Sequence, residues 1–135
     1  MQPPNQNLAG TQPLIYVVDD LRAVAELLVI VLKHKGYRTE MFLDSRAALT
    51  AFESANPKPV LLISDFTMPK MNGMELIERC KALSPSLKTI SFSGTLDDSD
   101  LQGYAVKPDV AMRKPSKLAD LLVVVKELLA KEQPG

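Results

Sequence analysis

Val60-Leu61-Leu62-Ile63-Ser64-Asp65, continuing through Phe66-Thr67-Met68-Pro69-Lys70-Met71 to Asn72-Gly73, is the stretch on which the fold turns. Val60 to Ser64 is short, branched and almost wholly apolar, which predicts a buried strand. Asp65 sits at its end. Asn72 or Gly73 then opens a helix predicted to reach about Leu83, with Asn72 offering the short polar side chain that a helix start needs.

Upstream, the same strand-then-helix unit occurs twice. Leu14 to Val18 is a second buried run and ends in Asp19 and Asp20. From Leu21 to Lys35, Val24, Leu27, Leu28, Val31 and Leu32 recur at helical spacing, and Gly36 supplies the left-handed residue that closes the helix. Arg38 to Leu43 alternates as a half-buried strand, Asp44 or Ser45 caps a helix to about Ser54, and Pro57 to Pro59 turns the chain into the Val60 strand.

Downstream, Ser84 to Ser86 turns, Leu87 to Phe92 predicts a fourth strand and Val110 to Arg113 a short fifth. Ser116 caps a last helix running to about Lys131. Residues 1–13 hold three prolines and one large aliphatic, too little apolar surface to offset ordering, and are expected to be a flexible tail. The expected division is tail 1–13, one domain over 14–132 and a C-terminal tail at 133–135.

Strands alternating with helices predict an α/β fold with a parallel sheet covered on both faces. Right-handed crossovers restrict it to a doubly wound sheet, in which ligands bind outside the carboxyl ends of the strands. Asp19, Asp20 and Asp65 fall at that rim, as do Ser93 and Gly94 after the fourth strand and Lys114 and Pro115 after the fifth. Three converging carboxylates repel unless a counter-charge is present. A hard cation with oxygen ligands, together with Lys114, would supply it.

The composition of the 135 residues, 46% apolar and 24% charged, is that of one ordinary globular domain. Acids and bases balance at a formal net charge of zero and are interspersed, so direct nucleic-acid binding is not expected. No apolar run is long enough for a membrane span, because Glu26, Lys33 and Lys126 interrupt the greasiest segments. With the single cysteine, Cys80, this points to the cytoplasm. His34, the one histidine, reads as a polar residue in a helix's last turn.

Val17-Val18-Asp19-Asp20, then Asp65 through Gly73, then Ser93-Gly94, then Lys114-Pro115, stand in the order and spacing of the response-regulator receiver domain, which the chain resembles over nearly all of residues 14–131. The resemblance implies a flavodoxin-like sheet of five strands in the order 2-1-3-4-5, an order carried over from receivers of this family, since strand spacing alone does not set it. It implies that Asp65 takes a phosphoryl group from a histidine kinase or histidine phosphotransfer protein. Asp19, Asp20, Asp65 and the main-chain carbonyl of Thr67 would hold Mg²⁺, while Lys114 and Ser93 would bind phosphoryl oxygens. The chain would be a two-component signalling phosphoacceptor rather than an enzyme, its only chemistry self-phosphorylation and autodephosphorylation. It would act by contact with a downstream protein that the sequence does not name.

Two departures stand out. Receivers commonly carry an aromatic residue three positions before the lysine, and here that position is Ala111. Residues 95–109 contain Gly103 and Pro108 and few long apolar side chains, so a fourth helix there is expected to be short or irregular. The alternative function is a receiver-like interaction module that is not phosphorylated. The first helix carries Val29 and Ile30 opposite its core stripe. The last has one stripe at Leu118, Leu122, Val125 and Leu129 beside another at Leu121, Val124 and Leu128. Either helix is thus a candidate homodimer surface, and wider burial within one chain is the competing explanation.

Overall fold

Leu61, Leu62, Ile63 and Ser64 are all buried, because the strand they form lies at the centre of a sheet with helices on both sides. The computed structural model describes residues 13–66, 71–93, 106–113 and 118–130. Within them run β1 (Leu14–Val18), α1 (Arg22–His34), β2 (Arg38–Phe42), α2 (Ser45–Ser54), β3 (Leu61–Ser64), α3 (Gly73–Leu83), β4 (Lys88–Ser93), β5 (Val110–Arg113) and α4 (Leu118–Ala130). The sheet has the order β2-β1-β3-β4-β5, and every pairing is parallel. This is the doubly wound, flavodoxin-like sheet expected. Strand and helix ends differ from the expected ones by a residue or two, the usual fraying of terminal pairing.

Alternation along the strands divides the interior into two cores. Ile15, Val17, Leu61, Ile63, Ile90 and Phe92 face α1 and α4, packing on Ala25, Leu28, Leu32, Leu121, Val125, Leu128 and Leu129. Tyr16, Val18 and Leu62 face α2 and α3, packing on Ala48, Phe52, Met74, Leu76, Ile77 and Cys80. Tyr16 is wedged between two rings, 4.8 Å from Phe42 and 6.1 Å from Phe52 between centroids. Among the described residues, no helix is long and apolar enough to cross a membrane.

Local chemistry sets the helix ends. Asp44 accepts from the Arg46 amide at 2.7 Å. Asn72 and Glu75 form a reciprocal capping box, the Glu75 amide donating to Asn72 Oδ1 at 2.9 Å and the Asn72 amide to Glu75 Oε1 at 3.2 Å. Gly36 closes α1 at φ 95°, a left-handed conformation that suits glycine. The Gly36 amide donates to Lys33 and the Tyr37 amide to Leu32, the paired bonds of a Schellman motif. At the end of α2, Lys58 Nζ donates to the carbonyls of Phe52, Glu53 and Ala55 at 2.7, 3.2 and 3.1 Å.

One expectation about helix faces needs correction, and one open alternative is decided. Leu27, expected in the core stripe of the first helix, is 48% exposed. The buried arc is centred on Leu28 and Leu32 and extends to Ala25, and a step of about 100° per residue carries Leu27 outward past its edge. In the last helix the two stripes are one wide face. Leu121, Val125, Leu128 and Leu129 are buried, and Leu118, Leu122 and Val124 are half-buried against the same core. Burial within the chain accounts for both stripes.

Candidate functional site

Each acid of the site is placed by the strand that ends beside it. Asp19 follows β1, and its amide extends the ladder by donating to the Phe42 carbonyl at 3.1 Å. Its Oδ1 accepts from the Leu21 amide at 2.9 Å, which turns the chain into α1. The Asp65 amide donates to the Val18 carbonyl at 2.9 Å, so β1 and β3 are locked in register up to their acids. Asp19, Asp20 and Asp65 come together: each offers a carboxylate oxygen, and the three lie within 4.8 Å of one another. Asp19 and Asp65 are buried while Asp20 is exposed, giving the cluster one open side.

The described residues next to Asp65 and at the start of α3 are tied down at several points. Ser64 Oγ donates to the Asp65 carbonyl at 2.9 Å. The Gly73 amide donates to the Phe66 carbonyl at 2.8 Å. From α2, the buried Ser45 hydroxyl donates to the Met71 carbonyl at 2.7 Å. Gly73 itself is pressed against the main chain of Asp65 and Phe66, where a Cβ would overlap the Asp65 carbonyl oxygen. Gly73 thereby abuts the main chain of the acid, and Ser45 ties Met71 down beside the start of α3. The sequence marks both residues only as helix starts, because a long-range approach to a carbonyl leaves no local pattern.

Ser93 ends β4 in register with Arg113, one strand beyond β3 on the same rim; its side chain lies outside the described residues. Thr67, Gly94, Lys114, Pro115 and Ser116 also lie outside them, as does most of the segment 95–109 in which a short helix is expected. Ala111 is exposed and pairs with Ser91 across β4 and β5. The Ser91 hydroxyl is buried without a hydrogen-bond partner.

At the amino-terminal end of β4 a second polar cluster ties β5 to the sheet. Asp109 Oδ2 accepts from the Thr89 amide at 2.7 Å and from Thr89 Oγ1 at 3.1 Å, and the Asp109 amide donates to Thr89 Oγ1 at 3.1 Å. Lys81 Nζ adds an ion pair at 3.4 Å. The cluster lies toward the end of β4 opposite the rim that carries the three acids.

The donor set at the carboxyl rim suits a hard divalent cation. It is all oxygen, carries three potential negative charges and is open on the Asp20 side, as Mg²⁺ prefers when it keeps several waters. Fold and rim together define the CheY-like class of doubly wound domains. The chain belongs to the response regulator receiver domain family, which matches residues 15–126.

Response regulator MprA of Mycolicibacterium vanbaalenii is 32% identical over 121 residues, covering 89% of this chain and 52% of that protein. The chain thus spans about half the length of the curated relatives it matches. A CheY-like receiver domain protein from Methanospirillum hungatei superposes with a TM-score of 0.83 at 28% identity, covering 92% of this chain and 99% of that one. Response regulator TrrA from Thermotoga maritima, solved in complex with Mg²⁺-BeF, gives 0.77 at 29% identity over 87% of this chain and 99% of that one.

Proposed function

We propose that the chain is a phosphoacceptor in which Asp65 takes a phosphoryl group from the phosphohistidine of a histidine kinase or phosphotransfer protein. An Asp65 carboxylate oxygen attacks phosphorus as the phosphorus–nitrogen bond breaks, and the bonding pair leaves with the imidazole. Asp19, Asp20 and Asp65, with the Thr67 carbonyl, would hold Mg²⁺. The metal would neutralise charge on the transferring group. Ser93 would donate its hydroxyl to one phosphoryl oxygen and Lys114 would pair with another. The observation that carries this reading is the approach of the three carboxylates to within 4.8 Å. The Mg²⁺-BeF complex of the Thermotoga maritima relative supports it.

With Ala111 small and exposed, the readout runs through protein contact without an aromatic side chain at that position. The cytoplasm, where histidine kinases present their phosphohistidine, is the setting this chemistry requires. Incubation with acetyl phosphate and Mg²⁺ tests the proposal by intact mass. The wild type should gain one phosphoryl group and Asp65→Asn none. An unmodified wild type would instead make the chain a receiver-like interaction module.

A further inference from the structure

Two helices are candidates for self-association, and burial separates them. In α4 the apolar residues are drawn into the core, leaving Val123 as the large exposed one. The groove beside it, lined by Lys35, Tyr37, Leu122, Val123 and Lys126, has lysines on its rim, and two copies meeting there would set like charges together. In α1, by contrast, Leu27 is 48% and Ile30 65% exposed.

At about 100° per residue, the outward side of α1 is centred on Ala23 and Ile30, opposite Leu28 and Leu32. Ala23, Leu27, Ile30 and His34 form a stripe with steps of four, three and four residues, the spacing of a helix-pairing seam. Glu26 and Lys33 flank it on one side, Val24 and Val31 on the other. In a parallel pair the charged flank of one helix faces the valine flank of its mate. In an antiparallel pair the charged flank faces itself, and Glu26 of each copy meets Lys33 of the other. The charge order therefore fits a second copy related by a two-fold axis, with Leu27 packing on Ile30 across it.

The groove between α1 and the edge strand β2 lies on the charged flank. It measures about 540 Å³ and is lined by Glu26, Val29, Ile30, Lys33, Thr39 and Met41. The Thr39 hydroxyl is buried there without a hydrogen-bond partner. The intrahelical pair between Arg22 and Glu26 is exposed and 3.6 Å long, which leaves the Glu26 carboxylate able to bridge outward. We infer that α1 is a homodimerisation surface, pairing antiparallel with α1 of a second copy through Leu27 and Ile30 and through reciprocal Glu26–Lys33 ion pairs. A seam one short helix long, about 20 Å, buries less than a standard interface of ~800 Å² per partner. The dimer is accordingly weak and concentration-dependent.

Sedimentation velocity over a concentration series into the millimolar range tests this, using the full chain at low salt. The wild type should shift from monomer to dimer. Glu26→Lys and Lys33→Glu should each weaken the dimer about tenfold, since two attractive pairs become repulsive in each. An equimolar mixture of these two variants should regain dimer, because one then carries only lysines on its charged flank and the other only glutamates. Ile30→Glu should remain monomeric, with its unchanged melting temperature excluding misfolding. Asp65→Asn should dimerise like the wild type, which separates this inference from phosphorylation. A wild type that stays monomeric throughout would overturn it, as would a dimer that ignores these charge changes. Either result would leave the Leu27–Ile30 stripe to a different protein partner.

Discussion

Gly73 packs directly on the main-chain carbonyl of Asp65, with no room for a Cβ between them. The first residue of α3 and the proposed phosphoacceptor therefore move together. Gly73→Ala should lower stability by about 1–3 kcal/mol, the usual cost of forcing an extra carbon into a packed site. It should also slow labelling by acetyl phosphate by more than the loss of folded protein explains. Thermal melts alongside the labelling rate check both, and a variant labelled at the wild-type rate would show that Asp65 tolerates displacement.

The closeness of the three acids makes a second expectation. In metal-free buffer, Asp20→Asn removes one of three mutually repelling charges and should raise the melting temperature by a few degrees. In Mg²⁺ the order should reverse, because the wild type gains more from the ion than the variant. Differential scanning calorimetry with chelator and then with excess Mg²⁺ reads the crossing directly. Asp19→Asn should blunt the Mg²⁺ response in the same way.

Asp109 offers a contrast between a bond to the amide of a buried residue and a partly exposed ion pair. Asp109→Ala leaves the buried Thr89 amide without its acceptor and should cost about 1–3 kcal/mol. Lys81→Ala removes only a partly exposed ion pair and should cost under about 1 kcal/mol. Urea titration of the two single variants and the double variant gives both values and their coupling.

Cys80 predicts the alkaline limit of stability. Burial pushes its thiol up to about 12; Glu53 acts in the same direction and Lys58 opposes. Burial likewise raises the Tyr16 phenol, with Glu40 and Cys80 adding. For both groups the folded state favours the protonated form. Their contribution is thus fully present below the unfolded values, near about 8.5 for a thiol and about 10 for a phenol. It is lost as pH rises from there towards the folded values. Stability should fall between about pH 9 and about pH 12, and Cys80→Ala should flatten the first part of that fall. At neutral pH the native thiol should resist alkylation until the chain unfolds.

The local signals in the sequence were enough for the elements and the parallel, doubly wound class, while the strand order came from the family resemblance. Asp44, Asn72 and Gly36 mark helix ends by chemistry that acts within three residues, and the apolar runs of β1 and β3 are buried as their composition requires. The convergence of Asp19, Asp20 and Asp65 was also legible, because strand ends in a parallel sheet share a rim. What escaped was chemistry between distant segments. Neither the hydroxyl of Ser45 reaching Met71 nor the Thr89–Asp109 cluster has a sequence pattern, since each depends on where two elements meet. Leu27 misled for a related reason. An apolar residue at helical spacing belongs to an arc, and only the neighbouring strands decide where that arc ends.

The sheet leaves the molecule with two interiors that scarcely touch, one under α1 and α4 and one under α2 and α3. A change buried in one should be nearly silent in the other, so paired substitutions across the sheet should add. The carboxyl rim is the exception. Asp19 and Asp65 extend strands whose last residues alternate between the two sides, Val17 and Ile63 into one, Val18 into the other. A charge added at that rim would therefore act beside residues of both cores at once.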